Sequence, residues 1–410
     1  MMLRSDINYP AVSASRPDNV ARKVVFNVLA KLQGVGLTLV EKEGDTYHIG
    51  DQNAELQAQL IVNHPAFYKR ILTGGSIAAG EAYVDGWWDS PDITQVVRVM
   101  ARNLPILDKL EAKVGWLTKL AYKITHKLRR NNKDNARQNI SAHYDLGNTL
   151  YSSFLDPNML YSCAIYRTED DDLVSAQINK MERLCCQLNL KPTDHLLEIG
   201  TGWGALAIYA AKHYGCRVTT TTISKEQHDW AKERIEQEGL SDQITLLLDD
   251  YRDLTGQYDK VVSVEMVEAV GKEYLTTYIQ KCQSLLKPGG LLALQTITIT
   301  DQRYDSYSRG VDFIQKHIFP GGFLPSITVL VNHMTKHSDF VVRDIKDIGF
   351  DYARTLSDWH QAFNHNADKL AQYGYDQRFV RMWRYYFCYC EGGFLERSIS
   401  TVQLVVSRPH

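Results

Sequence analysis

The segment spanning residues 196–207, LLEIGTGWGALA, constrains this chain more than any other. An apolar run ends at Ile199, glycines follow at 200, 202 and 204, and a helical pattern covers residues 206–213. Without Cβ atoms, glycines at such a turn allow a tight bend and close approach of a ligand to the main chain. Around this segment, runs rich in β-branched residues alternate with helical patterns. Residues 195–199, 216–223, 243–248, 258–264 and 291–299 read as strands, and Ser224 is placed to cap a helix through Glu238. A helix through Leu286 is stopped by KPGG, which predicts a turn before the next strand. Alternation at this spacing predicts a doubly wound parallel sheet, with residues 398–407 suited to a late antiparallel strand.

The chain has 410 residues, enough for two or three domains, and its charged fraction of 23% is ordinary for a globular protein. Residues 1–105 form a mixed segment, with helical periodicity at 20–32 and short strands at 37–40 and 57–62. Residues 106–140 form a basic connector, and 141–410 carry the α/β pattern. Within the connector, residues 109–133 hold six Lys and two Arg against one Glu, with Trp116, Leu117, Leu120, Ile124 and Leu128 at helical spacing. That is the pattern of a basic amphipathic helix, suited either to an anionic membrane surface or to docking with a solvated basic face. No apolar run approaches the ~18 residues of a membrane span, and the first residues lack the apolar stretch of a secretory signal. The expected location is therefore the cytoplasm. Seven cysteines without a CxxC pair suit reduced thiols rather than disulfides or a zinc site, so no metal is expected. A net charge of −2 gives no overall attraction to nucleic acid.

The glycine spacing discriminates between nucleotide ligands. The series is G-x-G-x-G rather than the dinucleotide G-x-G-x-x-G, and Thr219–Thr222 occupy the second strand where NAD would want an acidic residue. Glu198 before the first glycine, together with LLKPGG before the fifth strand, points to S-adenosylmethionine.

At this point the sequence resembles the cyclopropane-fatty-acyl-phospholipid synthase family, with its mycolic-acid cyclopropane synthase relatives. The resemblance runs from about residue 55 to the end. It is carried by HYDLGN (143–148), MLYSCAIY (159–166), EIGTGWGALA, DYRDL (250–254), SVEMVEAVG (263–271), HIFPGG (317–322) and CEGGF (390–394). Residues 64–89 also look like the extra N-terminal domain of that family. The fold this implies is a Rossmann-like S-adenosylmethionine-dependent methyltransferase domain with an additional mixed N-terminal domain.

The resemblance implies methylene transfer from S-adenosylmethionine to a cis double bond of a phospholipid acyl chain. An alkene is a poor nucleophile, so it must be held in line with the sulfonium methyl, and the resulting cation must meet a base before it meets water. The family attributes the base to a bound bicarbonate. Carried over motif by motif, its holders here are Cys163, Glu268, Tyr352 and the backbone amide of Ile297. The family's histidine is replaced by Gln295, which hydrogen-bonds an anion but cannot become cationic. Glu265 stands where the family often carries a small residue. If it faces the site together with Glu268, repulsion raises one carboxyl pKa and favours direct base catalysis. Cys390 is read as lining the acyl pocket, with a small core residue as the plain alternative. For the cofactor, the resemblance points to Tyr161, Ser162, Gly200, Gly202, Gly204, Thr222 and Gln227, with Asp250 and Tyr251 at the adenine end. His143 and Tyr144 are candidates to cover it, and Thr201 replaces a common cysteine.

The aromatic insert 301–335 reads as a packed lid or an acyl-channel wall, and Trp87 and Trp88 as domain core rather than lipid anchors. The resemblance further implies a phospholipid bilayer as partner, peripheral attachment to the inner membrane face, and a homodimer. Two other readings stay open: a methyltransferase giving methyl-branched or methylene lipids, kept alive by Gln295, and a non-catalytic lipid-binding protein.

Overall fold

The computed structural model describes residues 16–42, 44–107 and 146–410. The basic helix expected at 109–133, and His143 and Tyr144, lie outside the described residues.

The chain divides into two compact units. Among the described residues, the first comprises 16–42, 44–107, 310–314 and 367–396, and the second 146–309, 315–366 and 397–410. The sequence pattern had grouped everything after residue 141 together. In the structure, the helix Gln377–Leu395 packs instead with the helices Phe67–Val84 and Ile93–Arg102 of the first unit.

The first unit holds a four-stranded mixed sheet. Its strands are β1 (Gly36–Glu41), β2 (Thr46–Gly50), β3 (Gln57–Val62) and β4 (Trp88–Asp89), in the order β2-β1-β3-β4. Trp88 is core, its indole Nε1–H donating to Ala79 O at 2.8 Å, while Trp87 stacks on His64. Arg381 reaches into this unit from the helix Gln377–Leu395. It donates to Tyr83 O at 2.7 Å, Trp88 O at 3.1 Å and Asp89 Oδ1 at 2.8 Å, and lies 4.0 Å over the Tyr83 ring.

The second unit is built on seven strands in the order β10-β11-β9-β8-β5-β6-β7. They are β5 (His195–Ile199), β6 (Arg217–Thr221), β7 (Ile244–Leu247), β8 (Tyr258–Val264), β9 (Leu286–Ile299), β10 (Val341–Asp347) and β11 (Ile399–Ser407). Strands β5 to β9 run parallel, β11 pairs antiparallel with β9, and β10 antiparallel with β11. Both faces of a parallel sheet must be covered, and the strand residues sort by twos to achieve it. Leu197, Val261, Leu292, Leu294, Leu404 and Val406 pack on one side with the helices Leu275–Leu285 and Ile327–His337. Leu196, Val218, Val262, Ala293 and Val405 pack on the other with the helices Leu173–Gln187 and Ala205–Tyr214. Ser224 caps the helix Lys225–Gln237 as expected, accepting from Gln227 N.

The preceding helix ends at Leu285, and KPGG (287–290) is an irregular stretch at the start of β9: Tyr258 pairs with Leu286 and Lys260 already with Leu291, Gly289 has φ of +77°, Gly289 N donates to Arg408 O and Arg408 N to Gly290 O.

The fold generates a stability prediction. Arg381→Met removes the guanidinium's hydrogen bonds to Tyr83 O, Trp88 O and Asp89, so it should cost about 3 kcal/mol and lower the urea midpoint of the first unit. A midpoint equal to wild type would mean that Arg381 contributes packing alone.

Candidate active site

The chain passes from β5 to β6 and β7 on one side, then crosses to β8 and β9 on the other. A crevice at the carboxyl ends of strands is expected at such a switch, here where β5 and β8 lie side by side. The glycine turn leaves β5 at this place and Glu265 leaves β8. The two strands are tied by Ser263 Oγ donating to Ile199 O at 2.9 Å.

All three glycines have positive φ: +101° at Gly200, +54° at Gly202 and +91° at Gly204. Their surroundings differ. A Cβ on Gly204 would come within 3.1 Å of Ala231 Cβ, so this glycine serves helix packing. A Cβ on Gly202 would meet nothing within 4 Å, so this stretch of main chain faces open space of the kind a ligand fills. The turn is pinned by Gly200 N and Thr201 N, which both donate to Thr221 O. Beneath it, Thr201 and Thr220 hydroxyls bond to one another and Thr220 donates to Glu198 Oε2 at 2.6 Å. Glu198 is buried, and burial pushes its carboxyl up to about 8.

The remaining cofactor candidates bracket this turn. Thr222 Oγ1 donates to Gln227 Oε1 at 2.8 Å, and both are buried. Asp250 accepts from Arg252 Nη2 at 2.6 Å, and among the described residues nothing bonds the buried Tyr251 hydroxyl. Tyr161 sits among aromatic rings, with centroids 5.3 Å to Tyr151, 5.2 Å to Trp359 and 6.2 Å to Phe319. Ser162 Oγ accepts from Lys180 Nζ at 2.7 Å.

The second half of the site is a polar cluster around Glu265. This residue has left-handed φ of +49°, and its N donates to Gln295 O at 2.7 Å, which turns the chain off the end of β8. Its Oε1 accepts from Cys163 N at 2.8 Å and from Gln295 Nε2 at 2.9 Å, and its Oε2 from Tyr352 Oη at 2.7 Å. Gln295 Nε2 also donates to Cys163 O at 3.0 Å, while its Oε1 accepts from Gln403 Nε2 at 2.9 Å. Glu268 Oε1 accepts from Ile297 N and from Thr296 Oγ1. Glu265 and Glu268 therefore do face one site, a point the sequence left open. Burial raises both carboxyls, and the Glu265 charge helps to hold Glu268 up to about 8. The Cys163 thiol is also pushed well up by burial and contacts Ala164 O and Ile348 O.

Bicarbonate does not fit this arrangement. Of the groups the resemblance offered to hold it, Cys163 N and Tyr352 Oη already donate to Glu265, and Ile297 N to Glu268. Cys390 lies on the helix Gln377–Leu395 in the first unit, where burial raises its thiol.

Two participants escaped the sequence reading. Lys180 is fully buried, and burial pushes its ammonium down to about 8. Its signal was position: it shares a helical stripe with Ala176, Gln177, Met181 and Leu184, all buried. Gln403 was visible only as a polar residue inside the apolar run of β11.

Residues 131–404 match the family model described as mycolic acid cyclopropane synthetase. The chain belongs to this family. It is 39% identical, over 87% of its length and 89% of the relative, to the cyclopropane-fatty-acyl-phospholipid synthase of Escherichia coli. It is 36% identical, over 91% of its length and 88% of the relative, to the tuberculostearic acid methyltransferase UfaA1 of Mycobacterium tuberculosis. The solved mycolic acid cyclopropane synthase CmaA1, complexed with SAH and CTAB, superposes with a TM-score of 0.63 at 28% identity. That match covers 66% of this chain and 98% of CmaA1. The chain is thus an S-adenosylmethionine-dependent methyltransferase of the cyclopropane synthase family, and the reading as a non-catalytic lipid binder is set aside.

Gly202→Val should weaken S-adenosylhomocysteine binding by at least about 10-fold in calorimetry, with about 1–3 kcal/mol lost in stability from its left-handed φ. Unchanged affinity would place the ligand elsewhere. Glu198 generates a second prediction. Its folded pKa lies above the ordinary 4.5, so the folded state holds an extra proton between about pH 4.5 and 8, and stability falls as pH rises through that window. Glu198→Gln removes this loss, so the melting temperature of the variant relative to wild type should rise between pH 5 and 8. A difference independent of pH would contradict the assignment.

Proposed function

We propose that this enzyme transfers a methylene group from S-adenosylmethionine to the cis double bond of an unsaturated phospholipid acyl chain, forming a cyclopropane ring. The observation that carries the reading is the buried carboxylate cluster of Glu265 and Glu268 at the same switch point as the glycine turn. A bound S-adenosylmethionine supplies an electrophilic methyl group. The chain's residues must then position the alkene, keep water out and accept a proton. Gly202, with open space at its Cα, and the Thr222–Gln227 pair are suited to seating the cofactor. The rings of Tyr161, Tyr151, Trp359 and Phe319 give a dry wall whose π faces favour positive charge by ~0.5–2 kcal/mol each. Attack by the double bond forms one C–C bond as the C–S bond breaks, leaving a cation on the acyl chain. Loss of a proton from the added methyl closes the ring.

A second product is favoured by one departure and one relative. Gln295 replaces a titratable histidine, and UfaA1 is named a tuberculostearic acid methyltransferase. If the cation loses its proton elsewhere, the same first step gives a methyl-branched or methylene chain. Among the described residues no helix is long and apolar enough to cross a membrane. Cytoplasmic location, peripheral binding to the inner membrane face and a homodimer complete the proposal, on the basic segment and the family resemblance.

Anionic liposomes with a monounsaturated chain, incubated with enzyme and S-adenosylmethionine, should gain one CH₂ per chain by mass spectrometry and lose their olefinic proton signals by NMR. Gain with retained olefin would select the methylating branch, and no gain would reject the substrate class.

A further inference from the structure

We propose that Glu265 takes the place of a bound bicarbonate: its carboxylate fills the anion seat and itself accepts the proton that the acyl cation must lose. The inference rests on the function proposed above and concerns the same site.

The seat is defined by its donors, and they are committed. Cys163 N–H, Tyr352 O–H and Gln295 Nε2–H all point at the two oxygens of Glu265, at 2.7 to 2.9 Å. The amide of Gln295 is locked in that sense. Its nitrogen lies against two acceptors, Glu265 Oε1 and Cys163 O, while its oxygen faces the Gln403 donor. A free anion placed on the same donors would displace Glu265 and meet its charge at close range with no donor left to screen it.

Acceptor counting identifies which carboxyl carries the charge. A carboxylate offers about four lone-pair directions. Glu265 uses two on Oε1 and one on Oε2, so one direction on Oε2 stays open to receive a proton. Glu268 has donors on Oε1 alone, and among the described residues nothing bonds its buried Oε2. Glu265, which collects more donors, is therefore the anion of the pair, and Glu268 holds the proton. The backbone points the same way. A residue with a Cβ at φ +49° bears a cost that glycine would avoid, and such outliers persist where the side chain has a task.

The step balances within the chain and its two substrates. As the acyl cation forms, Glu265 Oε2 takes a proton from the added methyl, and the freed C–H electron pair closes the ring. The proton leaves Glu265 for solvent before the next turnover, and no further reactant enters.

The test uses the full-length enzyme, Glu265→Gly and Glu265→Gln in carbon-dioxide-free buffer, with and without added bicarbonate. Two readouts are taken: turnover on unsaturated liposomes, and binding of ¹³C-bicarbonate by NMR to protein saturated with S-adenosylhomocysteine. Wild type should turn over equally in both buffers and bind no bicarbonate. Glu265→Gly opens the seat, so it should lose about 100-fold or more in turnover, bind bicarbonate, and regain about 10-fold when it is added. Glu265→Gln fills the seat without accepting a proton, so it should be equally impaired and not rescued. It also carries the test if the glycine variant does not fold. Saturable bicarbonate binding by wild type, dependence of its turnover on bicarbonate, or full turnover by Glu265→Gln would overturn the proposal. If wild type modifies no liposome even with bicarbonate, the proposed function fails, and the binding comparison between wild type and Glu265→Gly still decides the seat.

Discussion

The pairing of β8 with β9 and of β9 with β11 is the constraint on which the site depends. Val264 pairs with Gln295, and Gln295 with Gln403, so β9 and β11 present polar residues at the level where β8 ends and the chain turns to Glu265. Burying an amide in such a place is costly unless its hydrogen bonds are met. Gln295 meets them on both ends: its Oε1 accepts from Gln403 Nε2, and its Nε2 donates to Glu265 and Cys163. A shift of β9 by one residue would turn Gln295 to the opposite face and leave the carboxylate without its amide partner. Register therefore couples core packing directly to the electrostatics of the site.

Three segments distant in sequence converge on that level. The loop carrying Tyr161, Ser162 and Cys163 is clipped to the helix Gly349–His365 through Ala164 N donating to Thr355 Oγ1 and Tyr166 N to Asp351 Oδ1. The same helix delivers Tyr352. The helix Leu173–Gln187 delivers Lys180, whose buried ammonium bonds Ser162 and adds positive charge near two acidic groups. A cluster with one buried cation and carboxyls raised by desolvation holds a divided set of protonation states. That is what a site needs when it must both stabilise a cation and remove a proton.

Much of this was legible in the residues. Period-two runs and the Gly200–Gly204 turn specify the parallel sheet and the ligand crevice because backbone sterics and burial act locally. The strands at 57–62, 195–199 and 258–264 match the expected bounds residue for residue. Other features were not legible, for identifiable reasons. A buried lysine on an apolar stripe reads as a mistake until its partner Ser162 is in view. KPGG reads as a turn, and only the fold shows that this irregular stretch is pinned by backbone bonds to Arg408, from the far end of the chain. The helix carrying Cys390 reads as part of the α/β pattern, yet Arg381, about two and a half turns earlier on the same helix, buries its guanidinium in the first unit.

What the sequence by itself determined is the class of chemistry: the α/β scaffold, the glycine turn for S-adenosylmethionine, and the presence of Cys163, Glu265, Glu268, Gln295 and Tyr352. The first two follow from local spacing and residue type, and the choice of those site residues from the family resemblance. What only the tertiary structure decided is how those groups divide the work. Glu265 and Glu268 are three residues apart, and neither spacing nor propensity says which carboxylate collects the donors. Strand register and the packing of the helix Gly349–His365 decide it, because the hydrogen bonds that join Cys163, Gln295, Tyr352 and Glu265 link positions 30 to 132 residues apart. Contacts over such separations exist only once the chain has folded.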